Sequence, residues 1–341
     1  DCLLSRGLGD VYKRQAGTQG KVGLIAMDFG SIFSNTAAYL FSPVTLAYAL
    51  AATGLAVHFG YAGLLNFGMA AFMAIGGYGY AISVLTFGLP WWIGMLIGLL
   101  GGALFAVLLG IPTLRLRADY LAIATIAAGE IVRLLFTTQI FDEYTNSADG
   151  LAQFNGGFRD ANPFPPGTYG FGPWTYSAND LWNRVFGLLV LLVAILLVWS
   201  LMRSPWGRVL KGIREDEDAV RSLGKNVFAY KMQALVVGGV IGAAGGIVFV
   251  LPSAVVPGSY TTSLTFFLWT ALLLGGAATV FGPTLGAILF WVVFAFMANL
   301  LPSMAKAGIL PMSDSQASTL VFIFVGIALM LLVIFRPQGI L

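Results

Sequence analysis

The residues of this chain that could do chemistry are few, and most of them stand together. Between positions 203 and 231 (RSPWGRVLKGIREDEDAVRSLGKNVFAYK) fall Arg203, Arg208, Lys211, Arg214, Arg221, Lys225 and Lys231, with the acidic block Glu215 to Asp218 among them. Val209, Leu210, Ile213, Val220 and Leu223 recur there at spacings near three, four and seven, which puts them on one face of a short helix. The chemistry such a helix offers is recognition. An apolar stripe with charged rims needs something outside the lipid to dock against, and the plain alternative is a solvated helix lying on the membrane surface.

Two further groups have the right residue types for a pathway. Glu130 and Arg133 stand i, i+3 in an apolar stretch, so they share one helix face and can pair. Ionisable groups inside a membrane are costly and often mark a route for solute or ions. Both lie toward the outer end of their stretch, where snorkelling is cheap, so a structural pair or interface anchor leads over a substrate ligand. Asp119, beside Arg115 and Arg117, reads as an interfacial residue at a helix start. The second group is Gly60-Tyr61-Ala62-Gly63-Leu64-Leu65-Asn66-Phe67-Gly68, too glycine-rich for a helix interior when each glycine costs about 1 kcal/mol against alanine. A helix break is expected there. Broken backbone at membrane depth that lines a cavity, and a plain turn at the surface, have equal standing. Asn66 could hydrogen-bond a polar solute or satisfy the broken backbone, and the second reading comes first. The candidate pathway residues are Gly60, Gly63, Asn66, Gly68, Glu130, Gly275 and Gly276.

No catalytic constellation accompanies them. The sequence has no G-x-x-x-x-G-K-[ST] phosphate loop, no H-E-x-x-H and no G-x-S-x-G. Its one cysteine, Cys2, excludes an intrachain disulfide, and one histidine, His58, argues against a histidine metal site, so no metal and no cofactor are expected. Energy for transport would come from an ion gradient or from another subunit. Gradient coupling usually leaves carboxylates deep in the spans. Glu130 stands alone and has Arg133 to neutralise it, which favours another subunit.

The elements that must position these residues are membrane helices. Hydrophobic residues make up 58% and charged residues 10% of the chain, against roughly 25% charged in a soluble domain. The mean hydropathy is +0.86. The expected fold class is all-α, a polytopic membrane bundle of about nine transmembrane helices with at least one broken helix. Apolar runs place them near 36–57, 67–87, 90–110, 118–137, 183–202, 231–251, 262–281, 283–301 and 318–335. The 43 glycines suit close helix packing. Gly238, Gly242 and Gly246 repeat the G-x-x-x-G spacing, and Gly282-Pro283 reads as a break before a helix whose first turn accepts proline.

Alternating spans bring Arg115, Arg117, the 203–231 segment and Arg336 to one side, which the positive-inside rule makes cytoplasmic. The loop 138–182 then faces outward, with Asp142, Glu143, Asp149, Asp160 and Asp180, either capping the protein for an external partner or acting as a spacer. The basic balance records orientation, and no nucleic-acid partner is expected. Residues 1–26, polar and without the apolar core of a signal peptide, read as a non-native or untranslated extension, translated cloning or assembly sequence ahead of a start at Met27. Residues 27–341 form the transmembrane domain on this reading, and the abrupt end at Leu341 leaves room for a short polar tail.

Four stretches in register carry a resemblance: GYAGLLNFGMAAFMAIGGY (60–78), LRLRADYLAIATIAAGEIVRLL (114–135), WGRVLKGIREDEDAVRSLGKNVFAYK (206–231) and LLLGGAATVFGPTLGA (272–287). Together they span nearly the whole chain from Met27, and the chain resembles the permease subunits of branched-chain amino acid ABC importers, LivM type. The resemblance implies a transport subunit rather than an enzyme, in a bacterial plasma (inner) membrane. It implies a second homologous permease (LivH type), two cytoplasmic ATPase subunits and an extracytoplasmic solute-binding protein as partners, besides the lipid bilayer. Urea and short-chain amide importers share this permease type, so the class is better defined than the solute.

The 203–231 loop would then couple to the ATPases. Asp218-Ala219-Val220-x-x-x-Gly224 looks like a variant of the importer E-A-A-x-x-x-G loop, without the apolar-proline portion that follows it in the family. The implied coupling residues are Gly207, Arg208, Ile213, Arg214, Asp218, Ala219, Val220, Leu223 and Gly224. Met69 departs from the family pattern, in which a histidine is common at that position, and this puts a substrate-binding role there in doubt.

Overall fold

The structure is a computed structural model that describes residues 29–172, 174–307, 309–335 and 339–340. The expected extension 1–26 with Cys2, the expected start at Met27, and Arg336 lie outside the described residues.

The described residues fold into twelve main helices: α1 (Phe29–Ala38), α2 (Pro43–Leu55), α3 (Met69–Leu85), α4 (Trp91–Thr113), α5 (Ala118–Thr137), α6 (Ala178–Arg203), α7 (Pro205–Glu215), α8 (Glu217–Ser222), α9 (Val227–Val250), α10 (Thr262–Gly275), α11 (Gly282–Lys306) and α12 (Asp314–Phe335). Their starts follow local chemistry. Ser42 accepts a hydrogen bond from the Thr45 amide at 3.1 Å and Pro43 opens α2. Asn226 accepts from Ala229 at 3.1 Å and opens α9. Pro283 sits in the first turn of α11, where its missing N–H costs nothing.

Among the described residues six helical segments are long and apolar enough to cross a membrane: 43–61 (α2 with its π extension), α4, α5, α6, α9 and α11. The expectation of about nine is not reached by that measure. Each remaining apolar run falls on a helix, but α3 has 17 residues and α10 has 14, while α12 has 22. The chain breaks these runs where glycine permits a turn, at Gly68 before α3 and at Gly276, with φ 111°, after α10.

Burial sorts the helices into a centre and a ring. The apolar window of α2 with its extension is 89% buried and that of α9 is 67% buried, against 17% for α5 and 28% for α11. The centre is dense because its residues are small. A Cβ on Gly54 of α2 would strike the Gly238 carbonyl of α9, and a Cβ on Gly238 would strike the Gly54 carbonyl and the His58 ring. Gly246, two G-x-x-x-G steps along α9 from Gly238, meets the Met73 backbone of α3 in the same way. The repeat therefore brings three backbones into contact. Outside the centre, exposed Leu100, Leu104, Ile123, Leu189 and Leu192 form the lipid-facing surface.

The loop 138–182 is ordered and is the one departure from an all-α chain among the described residues. It carries short helical pieces at Asp142–Thr145 and Gly156–Asp160 and a two-stranded antiparallel hairpin, β1 (Thr168–Phe171) and β2 (Trp174–Ser177). Asn155 Nδ2 donates to the Leu251 carbonyl at 2.9 Å, and Leu151 and Val255 pair backbone to backbone. Phe154 and Phe158 are buried beneath it.

Candidate functional site: a broken helix fastened to the basic loop

The glycine-rich stretch after α2 is a buried break rather than a surface turn. At Ala56–Tyr61 the helix widens into a π-helix, and after Ala62 it stops; the chain runs without helix to Gly68. Leu64 N donates to the His58 carbonyl at 2.8 Å, closing the widened turn. Inside a membrane every freed backbone group must find a partner within the protein, and here the surrounding elements supply them. Asn66, 1% exposed, accepts from the Gly68 amide on Oδ1 at 2.8 Å and donates from Nδ2 to His58 Nδ1 at 3.0 Å. That bond leaves His58 Nε2 as the protonated nitrogen, and it donates to the Leu235 carbonyl of α9 at 3.0 Å. Thr125 of α5 accepts from the Phe67 amide at 2.9 Å, and Thr265 of α10 accepts from the Ala70 amide at 3.1 Å. Trp269 of α10 donates from Nε1 to the Asn66 carbonyl at 3.2 Å, while its ring stacks on Phe67 with centroids 4.6 Å apart.

Asn66 thus serves the backbone. His58, Thr125, Thr265 and Trp269 were not singled out by the sequence as parts of a site. A lone histidine eight residues before an asparagine gives no signal of contact, because that contact exists only through the π turn. Met69 is fully buried, its sulfur beside Gly242.

The basic loop differs from the single helix its spacing predicts. Two helices, α7 and α8, meet at Asp216, whose backbone is extended (φ −153°, ψ 105°) and whose carboxylate accepts from the Asp218 and Ala219 amides, both at 3.0 Å. An aspartate that can cap a new helix interrupts the old one. The split divides the expected stripe. Leu210 and Ile213 are buried in the main core, and Gly207 lies against the Met202 backbone, so Gly207 and Ile213 fasten α7 to the membrane body and are not presented to a partner. By contrast α8 has no buried residue, Leu223 is 79% exposed, and Asp218, Ala219 and Arg208 are exposed. Val220 is half-buried against Gly212, and Gly224 turns the chain at φ 74°.

Arg214 joins the two features. From the end of α7 its Nη1 donates to the Gly60 carbonyl, one of the groups the break has freed. Gly63, at φ 70°, packs against the Arg214 side chain, with 3.2 Å between a built Cβ and Cγ. Lys211 lies 5.9 Å from the centroid of the Tyr61 ring. On its other side the break meets the loop after α10, where a Cβ on Gly60 would strike the Ala277 carbonyl. Gly275 is closed in by Gly282 and Gly286. The structure therefore brings Gly60, Gly63, Asn66 and Gly68 together in the break and links it to Arg214, whereas Gly275 and Gly276 close against α11 at Gly282 and only Ala277 after them meets the break.

Glu130 stays outside that group. It pairs with Arg133, both partly exposed on α5, with Arg133 Nε donating to Oε1 at 3.0 Å and to Oε2 at 3.1 Å. The forked pair neutralises itself within one helix turn and contributes an anchor on the ring of helices.

The freed Gly60 carbonyl of the broken helix is thus held by a cation from the charged loop, which ties the loop directly to the membrane body. A family model described as branched-chain amino acid transport system / permease component matches residues 39–334, which include the break and the loop. The chain is 31% identical over 318 residues to the high-affinity branched-chain amino acid transport system permease protein LivM of Escherichia coli (strain K12), covering 87% of this chain and 68% of that one. It is 26% identical over 340 residues to the probable branched-chain amino acid transport permease protein LivM of Methanocaldococcus jannaschii, covering 86% and 90%. It is 27% identical over 287 residues to the nucleoside ABC transporter permease protein NupC of Lactococcus lactis, covering 79% and 84%. With the match running through both halves of the site and nearly every helix, the chain belongs to the family of branched-chain amino acid transport system permease components.

Proposed function

We propose that this chain is the membrane-spanning permease subunit of an ABC importer that passes leucine, isoleucine and valine inward, driven by ATP hydrolysed on partner chains. The observation that carries the mechanism is the Arg214 to Gly60 hydrogen bond between the basic loop and the broken helix. One of the two ATPases would seat on the exposed helix α8 at the cytoplasmic face. Leu223 and Val220 would supply the apolar contact and Arg208 and Arg221 the polar rim. When the ATPases close, α8 moves with them and α7 follows. Arg214 then pulls on the carbonyl of the break, and the centre of α2, α3, α9 and α10 repacks between outward- and inward-facing arrangements. A second permease of LivH type would complete the pathway, and an external binding protein would deliver solute to the 138–182 face. The setting is a bacterial inner membrane, and the chain itself does no chemistry.

The nucleoside permease among its relatives makes the solute a question of its own. The test is to tag the chain, extract it gently, identify what co-purifies, and assay uptake by the reconstituted complex with a panel of branched-chain amino acids, nucleosides, urea and short-chain amides. Recovery of a homologous permease with two ATPases, and ATP-dependent uptake of the branched-chain amino acids, is the expected outcome. Transport by the lone chain or its homo-oligomer without ATPases would replace this reading with a self-sufficient transporter, and uptake of another solute class would correct the substrate.

A further inference from the structure

The turn between α4 and α5 and the turn between α8 and α9 face each other across a cavity of about 790 Å³ on the basic side of the protein. Arg115, Arg117, Arg221, Lys225 and Lys231 line it against two carboxylates, Glu217 and Asp218. Those carboxylates are already engaged. Arg221 bonds Asp218 and Glu217, each at 2.9 Å, and Lys231 pairs with Glu217. Arg115, Arg117 and Lys225 form no ion pair with any other described residue. Arg115 lies over the Phe228 ring at 5.9 Å, which positions it without neutralising it.

The backbone adds positive potential. The cavity is lined by Arg117 and Asn226, the N-cap residues of α5 and α9, helices of 20 and 24 residues. No side chain caps the α5 terminus. The uncapped N-terminus of α5 and unpaired cations facing one space make a site for a multiply hydrogen-bonding anion, the α9 terminus being already capped by Asn226. Its position selects which anion. The cavity lies where membrane-length helices α4, α5 and α9 end, and its rim carries exposed Leu116 and Phe228, with Tyr120 exposed one helical turn into α5. Charge beside exposed apolar side chains at a helix end suits a molecule that is anionic at one end and apolar at the other.

We propose that this cavity seats the phosphate-bearing headgroup of an anionic phospholipid, held by Arg115, Arg117 and Lys225, with its acyl chains lying along α4 and α5. Because Glu217, Asp218 and Arg221 of α8 form one wall, the bound headgroup braces α8 against the α4–α5 turn.

The test uses the full purified chain in nanodiscs of phosphatidylcholine, with phosphatidylglycerol titrated in. Retained lipid is read by native mass spectrometry and thermal stability is read in parallel. The wild type is expected to retain phosphatidylglycerol in preference to phosphatidylcholine and to melt higher with it, an effect that weakens as salt rises. The triple variant Arg115→Gln, Arg117→Gln, Lys225→Gln is expected to bind it on the order of 100-fold more weakly, while melting normally in phosphatidylcholine alone. Arg115→Lys with Arg117→Lys should restore most of the binding, and Arg159→Gln, in the 138–182 loop, should not change it. Equal retention of the two lipids, or a triple variant that binds as the wild type does, overturns the proposal. Stabilisation by inorganic phosphate equal to that by phosphatidylglycerol would make the ligand a free anion and overturn the lipid assignment. Loss of ATPase binding in the triple variant with lipid retention intact would reassign the cavity to the ATPases.

Discussion

Asn66 holds the break with every hydrogen-bonding atom of its side chain and with its carbonyl, which accepts from Trp269. Replacing it with leucine, close in volume, would leave His58 Nδ1 and the Gly68 amide without partners in a water-poor core. Each such group costs about 1–3 kcal/mol, so Asn66→Leu should lower the thermal midpoint in detergent markedly even though no apolar volume is lost; an unchanged midpoint would show that the break is held by packing alone. The role of Asn66 was legible in sequence as a polar residue in a glycine-rich break, which needs internal partners. The identity of its partner was not. His58 is visible in sequence only as a histidine with no companions for a metal site, and its place beside Asn66 depends on a π turn that no local residue pattern announces. Glu130 and Arg133 were legible as a pair because i, i+3 contact is a property of one helix and needs no tertiary information.

At the scale of elements, the G-x-x-x-G repeat of α9 announces close packing without saying against what. The partners are Gly54 of α2, His58 of its π extension, and Met69 and Met73 of α3. Because the Gly54 and Gly238 carbonyls each occupy the space a Cβ on the other would need, Gly54→Val forces α2 and α9 apart along a buried crossing. Overpacking of this kind costs about 1–3 kcal/mol or more, and at a backbone-to-backbone contact it should reach the upper end. The expected result is a sharp drop in folded protein recovered from membranes, whereas Gly258→Ala, with nothing within 4 Å of its built Cβ, should be recovered as the wild type is; equal recovery of both would contradict the close crossing. The basic loop shows where element reading fails. Hydrophobic spacing alone runs α7 and α8 together, and only the cap chemistry of Asp216 separates them. The separation matters for the proposed coupling, since it leaves α7 fastened to the body while α8 buries no residue.

At the scale of the molecule, the two helices of the loop predict two different kinds of failure. Leu223→Asp places a charge on the exposed helix end without touching the core, so the chain should insert normally and the ATPases should fail to co-purify. Arg214→Met leaves α8 intact and removes the bond to Gly60. ATPases should still bind and hydrolyse, but uptake should fall by roughly tenfold or more, since a hydrogen bond to a charged group contributes about 1.5–3 kcal/mol; full uptake in Arg214→Met would remove the link from the mechanism. The sequence by itself determined that the chain lives in a membrane, where its helices run and which side is basic, because length, hydropathy and charge act locally and need no partner to be read. It also located the break and the loop, since glycine runs and charge clusters are local conflicts with a spanning helix. Only the tertiary structure decided that the break is buried, that α3 and α10 fall short of a full crossing, and that Arg214 reaches a carbonyl 154 positions away. Those facts depend on freed backbone groups finding partners across the bundle, and such pairings are set by the packing of all the helices at once.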